Sequence, residues 1–161
     1  MQIDGICLDG FSEPSSIDDL HRSRCFGVPP FPGIYVITRT SNCDPSLLRR
    51  STGGWFKRQD PSYPFKTVRA NWIPDACVVY VGKAAGRKGL KGRICQLLDF
   101  GFGKPVGHRG GRLLWHLKDS GELLVRCRIC DARETDDAET DAIRHFKLAY
   151  GGRRPFANMA K

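Results

Sequence analysis

One glutamate occupies the apolar face of a helix predicted near the C-terminus. At the helical spacing of about 3.6 residues per turn, Glu139 falls on the same side as Ile143, Phe146 and Tyr150. A carboxylate there costs free energy unless it is paired or binds a metal ion. Glu139 is therefore a candidate metal ligand. The alternatives are a core salt bridge to an arginine, or a displaced helix start that exposes the side chain.

Arg93 has a similar position, although the pattern is weaker than for Glu139. It lies at the edge of the apolar face of a helix predicted over residues 90–100. That face consists of Leu90, Ile94, Leu97 and Leu98. An arginine at such an edge can bury its stem and present its guanidinium along the sheet. Taken alone, Arg93 would more simply be a boundary arginine, so its role depends on its neighbours.

Three strands must position these residues. They are predicted over residues 33–38, 77–82 and 123–130, because these segments are rich in β-branched or alternating apolar residues. A short helix at 112–119 and a final helix from Asp136 or Asp137 to about residue 151 complete the pattern. Residues 39–76 are rich in turn-forming residues and predict a long loop. The order of elements predicts a mixed α/β fold of the α+β type.

The charge of the 161-residue chain is unevenly distributed. The net charge is +9, but residues 1–32 carry five acidic and two basic residues, so they contribute −3 and residues 33–161 contribute +12. The proline-rich stretch at 28–32 is a stiff connector. This pattern predicts an acidic N-terminal extension over 1–32 and a basic domain over 33–161. A basic surface favours a polyanionic partner such as nucleic acid.

Five fragments, in order along the chain, resemble the motifs of the GIY-YIG nuclease family. They are Gly33-Ile34-Tyr35, Tyr80-Val81-Gly82-Lys83-Ala84, Leu90-Lys91-Gly92-Arg93, Glu139 with Ile143, and Pro155-Phe156-Ala157-Asn158. The resemblance implies a small three-stranded antiparallel sheet flanked by helices, with a long insertion (about 39–76) between the first two strands. It also implies an endonuclease that hydrolyses DNA phosphodiester bonds with one divalent metal ion, Mg²⁺ or Mn²⁺.

The resemblance also implies a role for each residue of the site. Glu139 would hold the metal ion, and Arg93 would stabilise the phosphate. Either Tyr35 or Tyr80 could deprotonate the attacking water. We favour Tyr80, because Lys83 follows it closely and a nearby cation lowers the pKa of a tyrosine. Asn158 would orient the last segment or hydrogen-bond near the phosphate. The implied catalytic residues are thus Tyr35, Tyr80, Lys83, Arg93 and Asn158.

The chain departs from the family pattern in three places. First, 44 residues separate Tyr35 from Tyr80, whereas family members usually have a short loop there. Second, Leu97 stands one helical turn after Arg93, where members often have Tyr or His. A second hydrogen-bonding group would then come from His108 or His116, or be absent. Third, the stretch between Glu139 and Asn158 is long.

Two basic segments are candidates for a DNA-binding surface. The insertion carries seven basic and three acidic residues interleaved with five aromatics, and residues 83–112 carry eight basic residues and one aspartate. Basic side chains bind phosphates and aromatics stack on exposed bases, although these aromatics could equally form a satellite core. The candidate nucleic-acid-binding residues are Lys57, Arg58, Arg87, Lys88, Lys91, His108, Arg109 and Arg112.

The remaining features concern location and partners. Seven cysteines without a signal-like N-terminus predict a cytoplasmic protein with free thiols. Cys127 and Cys130 have metal-ligand spacing, but strand alternation puts them on opposite faces, so zinc is not expected. No apolar run is long enough to cross a membrane.

The expected partner is DNA, with a homodimer if each copy cuts one strand. The alternatives are a non-catalytic nucleic-acid-binding module on the same scaffold, or an RNA-cleaving nuclease or toxin.

Overall fold

Two antiparallel sheets and four α-helices make up the computed structural model of the protein, which describes residues 1–159. The strands are β1 (Gln2–Ile3), β2 (Ile6–Cys7), β3 (Ser15–Ser16), β4 (Gly33–Thr38), β5 (Val78–Ala84) and β6 (Leu124–Ile129). The helices are α1 (Ile17–Arg22), α2 (Phe65–Asn71), α3 (Gly89–Gly101) and α4 (Thr135–Ala149). No helix within residues 1–159 is long and apolar enough to cross a bilayer.

The main sheet has four strands in the order β3-β6-β4-β5, and every neighbouring pair is antiparallel. The three strands predicted from periodicity are confirmed, and β4 occupies the same residues as predicted. The expected three-stranded sheet is wrong by one strand, because Ser15–Ser16 pairs with β6 at the far edge. β4 is central and all six of its residues are buried, whereas β5 forms the opposite edge.

Helices cover both faces of this sheet. On one face, α1 and α3 pack on the alternating residues Tyr35 and Ile37 of β4. On the other face, Phe146 of α4 packs against Val36 of β4 and Val81 of β5. Side chains that alternate along a strand point to opposite faces. The two helices that carry Arg93 and Glu139 therefore approach β5 from opposite sides.

The N-terminal segment is an integral part of the packing, although its charge differs from the rest. Ile17, Leu20 and Val28 belong to the main core. The Asp4 carboxylate accepts hydrogen bonds from the backbone N–H groups of Cys77 and Val78 at 2.7 and 2.6 Å and from the Tyr150 hydroxyl at 2.8 Å. The boundary at residue 32 thus separates acidic from basic sequence, but the two parts share one core.

The insertion is more ordered than a loop. It contains α2, and Tyr63, Phe65 and Trp72 pack against the main core. Arg39 forms a salt bridge of 2.8 Å with Asp119, with its side chain only 8% exposed. Three aromatics of the insertion therefore pack on the core, as the satellite-core interpretation expects, whereas Trp55 stays exposed.

Candidate active site

A groove of about 1390 Å³ lies along the free edge of β5. Five of the six candidate catalytic and metal-binding residues line it: Tyr80, Lys83, Arg93, Glu139 and Asn158. They come from β5, α3, α4 and the C-terminal segment, which are distant in sequence. The fold therefore brings these side chains together at one edge of the sheet.

Glu139 forms an ion pair with a lysine at the entrance of this groove. Its carboxylate Oε2 lies 3.1 Å from Nζ of Lys83, and the Glu139 side chain is 21% exposed. Lys83 also pairs with Asp136, one helical turn earlier on α4. The hydrogen bond that Lys83 donates to Asp136, followed by its contacts with Glu139, raises the pKa of Lys83 against the opposing effect of burial. The partner of Glu139 is thus a lysine of β5 and not an arginine.

The two motif tyrosines have different environments. Tyr80 lines the groove and is 5% exposed, whereas Tyr35 is fully buried beneath it. The ring centroids are 5.9 Å apart. Burial raises the pKa of Tyr35 well above its usual value, and burial also raises the pKa of Tyr80. Arg93 opposes the shift of Tyr80 more strongly than Lys83 does. The geometry thus leaves Tyr80 as the tyrosine that can meet a substrate.

Arg93 is close enough to Tyr80 to lower the pKa of its hydroxyl. Nη1 donates to Oε1 of Gln96 at 3.3 Å, and no carboxylate within residues 1–159 forms an ion pair with Arg93. Gly110 fits between the two groups, since a Cβ there would lie 2.4 Å from the Tyr80 hydroxyl and 3.5 Å from Nη2 of Arg93. Gln96 and Gly110 were not predicted. Gln96 lies three residues after Arg93 on the same helix, and this spacing was the sequence signal that could have indicated their contact.

Asn158 pairs with the backbone of β5. Its Oδ1 accepts from the Val81 N–H, its Nδ2 donates to the Val81 carbonyl, and both distances are 2.8 Å. The Ala157 N–H donates to the Val79 carbonyl at 2.8 Å. These contacts use the side-chain amide to attach the last segment to the edge strand. In this structure, Asn158 therefore attaches the last segment to β5.

The candidate nucleic-acid-binding residues divide into three groups. Arg87 and Lys88 line the groove, and Lys57, His108, Arg109 and Arg112 line a second cavity beside it, with Arg109 and Arg112 shared by both. Lys91 and Arg58 are exposed but lie outside both cavities.

Two candidates have structural partners that the sequence did not suggest. The Arg112 guanidinium lies 5.3 Å from the Tyr63 ring centroid and donates to the Asp60 carbonyl at 3.0 Å, so Arg112 joins the insertion to the core. His116 accepts from the Tyr63 N–H at 3.1 Å and contacts the Leu48 carbonyl. His116 therefore holds the insertion in place and does not reach the groove.

The cysteines form no metal centre in the part of the chain that the structure describes. No cluster of three or more Cys, His, Asp or Glu residues there has metal-binding proximity. Cys127 is buried, with a pKa raised to about 12 by burial, while Cys130 is partly exposed. Both are free thiols, and Cys130 lies one residue beyond the end of β6.

Gly82→Ala should destabilise the protein and disturb the tyrosine pair. A Cβ at Gly82 would lie 2.4 Å from Cζ of Tyr35, whose ring is fully buried and cannot move aside cheaply. Overpacking of this kind typically costs about 1–3 kcal/mol. Urea unfolding should show a lower midpoint than for Gly86→Ala, because a Cβ at Gly86 would meet nothing within 4 Å. Equal midpoints for the two variants would contradict this account of the glycine.

Comparisons of the chain with family models, with curated proteins and with solved structures find no match.

Proposed function

We propose that the protein is a metal-dependent endonuclease that hydrolyses DNA phosphodiester bonds. The observation that carries the proposal is the convergence of Tyr80, Lys83, Arg93 and Glu139 on one groove. The resemblance of the same residues to GIY-YIG motifs supports it. The net charge of +12 over residues 33–161 is also what a phosphate-binding surface requires.

The donor set at Glu139 fits a hard divalent cation. The carboxylate is partly exposed in the groove, and it already attracts the ammonium group of Lys83. Mg²⁺ usually takes one or two protein carboxylates and fills its other positions with water and phosphate oxygens. Glu139 would hold Mg²⁺ or Mn²⁺ in exchange for its contact with Lys83. When bound, the ion would polarise the phosphate and acidify water.

Two side chains of the groove would act on the phosphate and on the attacking water. Arg93 offers planar donors that can bind two phosphate oxygens and stabilise the additional negative charge that develops in the transition state. Tyr80 would accept the proton of the attacking water, because its hydroxyl lies beside Arg93. Tyr35 packs against Tyr80, and Asn158 attaches the last segment to β5. Both residues would therefore act by positioning the groove side chains.

Cleavage should become faster as the pH rises from neutral to alkaline. Burial holds the pKa of Tyr80 above its ordinary value near 10. Below that pKa, the deprotonated fraction of a tyrosine increases about tenfold per pH unit. Single-turnover rates from pH 7 to 9 should therefore rise with a slope near one. Tyr80→Phe should be slow with a flatter profile, and an unchanged slope in this variant would exclude Tyr80 as the base.

Incubation with nucleic acids would test the proposed function directly. Supercoiled plasmid, single-stranded DNA, duplex oligonucleotides and RNA of matched sequence should each be incubated with Mg²⁺, Mn²⁺ or EDTA. We expect metal-dependent nicking or linearisation of DNA. Absence of cleavage under either metal, with retained binding, would overturn the proposal in favour of the non-catalytic binding module. Cleavage of RNA alone would overturn the assignment of the substrate.

A further inference from the structure

A second cavity of about 420 Å³ lies beside the groove. Its walls come from the insertion, through Phe56, Lys57 and Gln59, and from the loop at residues 106–109. Arg93 lines both cavities, so the second cavity begins where the proposed phosphate site ends. A ligand that spans the two would place one group in the groove and the next in this cavity.

The wall of the second cavity contains a buried histidine that lacks hydrogen bonds. His108 is only 5% exposed, and neither ring nitrogen makes a hydrogen bond of normal geometry to the described residues. Burial, and secondly the nearby Arg93, lowers the pKa of His108 to about 3, although the Gly110 backbone partly opposes the shift. A neutral imidazole offers one donor and one acceptor. An unpaired buried polar group is costly, so a ligand that pairs with it would gain affinity.

Two aromatic rings, Phe56 and Phe100, line the same cavity as this histidine. The loop packs tightly on Phe56, since a Cβ at Gly107 would lie 2.8 Å from Cε1 of that ring. The Phe100 and His108 ring centroids are 6.3 Å apart. The rings can stack on a flat ligand, and the neutral imidazole can both donate and accept a hydrogen bond. These properties suit a heterocyclic base better than a bare phosphate. The cation Lys57, 5.4 Å from the Phe56 centroid, and the exposed Arg109 supply contacts for flanking phosphates.

Gln96 links the two cavities. Its Oε1 accepts from Arg93, and its Nε2 donates to the Gly107 carbonyl at 2.8 Å. The side chain that holds the proposed phosphate-binding arginine therefore also holds the loop that carries His108.

We propose that the second cavity binds one unstacked nucleobase of the DNA strand, next to the phosphate in the groove. The inference rests on the proposed function in that the ligand is DNA. It deepens that function, because the favoured substrate is then a locally unpaired strand, such as a bulge or a single-stranded junction, and not a continuous duplex. It also gives the insertion a role, as one wall of the base site.

Binding of oligonucleotides that contain 2-aminopurine would test this site without requiring cleavage. The probe is placed either in a one-nucleotide bulge or opposite thymine in an otherwise identical duplex, and binding to the Glu139→Gln protein is measured in EDTA. We expect the bulged duplex to bind about tenfold more tightly, a size typical of one base stacking on an aromatic side chain. The 2-aminopurine fluorescence should change on binding of the bulged duplex only.

Matched variants distinguish a specific effect of the second cavity on bulge binding from a general effect of substitution. Phe56→Ala and His108→Leu should each reduce the preference for the bulge to about twofold or less. Phe26→Ala and His145→Leu, at exposed positions away from the cavity, should keep it. Circular dichroism and thermal unfolding of all four variants identify any that misfold. If a cavity variant misfolds, Lys57→Ala tests the same cavity with a substitution at the protein surface.

The possible failures are distinguishable. Equal affinity for both duplexes, or a preference that survives both cavity substitutions, would overturn the base site even if the wild-type protein cuts DNA. Absence of cleavage by the wild-type protein, together with a bulge preference that depends on Phe56, would overturn the nuclease proposal and leave the base site supported.

Discussion

Glu139→Gln should reduce DNA cleavage by at least about 1000-fold, because it removes the negative charge that would hold the metal ion while preserving the size of the side chain. The variant should fold normally, since Lys83 keeps its second partner, Asp136. Single-turnover cleavage of a labelled duplex at saturating protein measures the loss. Titration with Mn²⁺ in the presence of DNA, followed by electron paramagnetic resonance, should show stronger binding to the wild-type complex than to the variant complex.

Asp141→Asn provides the matched control on the same helix. Asp141 is 60% exposed and pairs only with Arg144 on the solvent side of α4 among the described residues, so this variant should cleave at nearly the wild-type rate. Glu139→Gln with wild-type cleavage, or with an unchanged Mn²⁺ affinity, would rule out the assignment of the metal ligand.

Arg93→Ala should reduce cleavage by about 1000-fold, which is the upper range for removing a donor that stabilises transition-state charge. Arg93→Lys should recover only part of the activity, because an ammonium group cannot make the planar two-point contact of a guanidinium. Substrate affinity should change far less than the rate constant if the contact is strongest in the transition state.

The pH profile gives Arg93 a second readout. Its charge lowers the pKa of Tyr80, so its removal should raise that pKa and extend the rising limb of the profile to higher pH. Arg93→Lys keeps a positive charge and should leave the limb closer to its wild-type position. Arg133→Lys, at a side chain that is 91% exposed, is the control for a general effect of the substitution. Equal rates for Arg93→Ala and Arg133→Lys would exclude Arg93 from catalysis.

Strong periodicity made the central elements predictable. β4 is an unbroken β-branched and aromatic segment, and its observed bounds equal the predicted ones. α3 extends one residue beyond the predicted range of 90–100 at each end. The prediction is this close because Leu90, Ile94, Leu97 and Leu98 form a complete apolar face along the helix. The two-residue strand β3 was not predictable, since Ser15 and Ser16 carry no alternating pattern and pair only through the tertiary fold. α2 begins after Pro64, which has no side chain that can cap the helix. The Ser, Thr, Asp or Asn that usually marks a helix start is therefore missing from the sequence.

The site was predictable in its residue types but not in its contacts. The helical position of Glu139 predicts a carboxylate that is paired or binds a metal ion, yet only the structure identifies Lys83 as its ion-pair partner, because the pair joins residues 56 positions apart. Tyr80 was favoured on account of Lys83, whereas Arg93 has the stronger effect on its pKa. The sequence could not indicate that Gln96 would connect Arg93 to the loop at Gly107, since that contact depends on tertiary packing.

The pairing of Asn158 with Val81 has a consequence for the association of the protein with itself. β5 is an edge strand, and an edge with unpaired N–H and C=O groups is a template for a strand from another chain. One side-chain amide satisfies both groups of Val81, and the neighbouring Ala157 N–H satisfies the Val79 carbonyl. The last segment therefore caps the sheet where the groove opens. Loss of this cap would leave the edge beside the groove exposed to β-strand addition, so the shape of the groove and protection from aggregation depend on the same few hydrogen bonds.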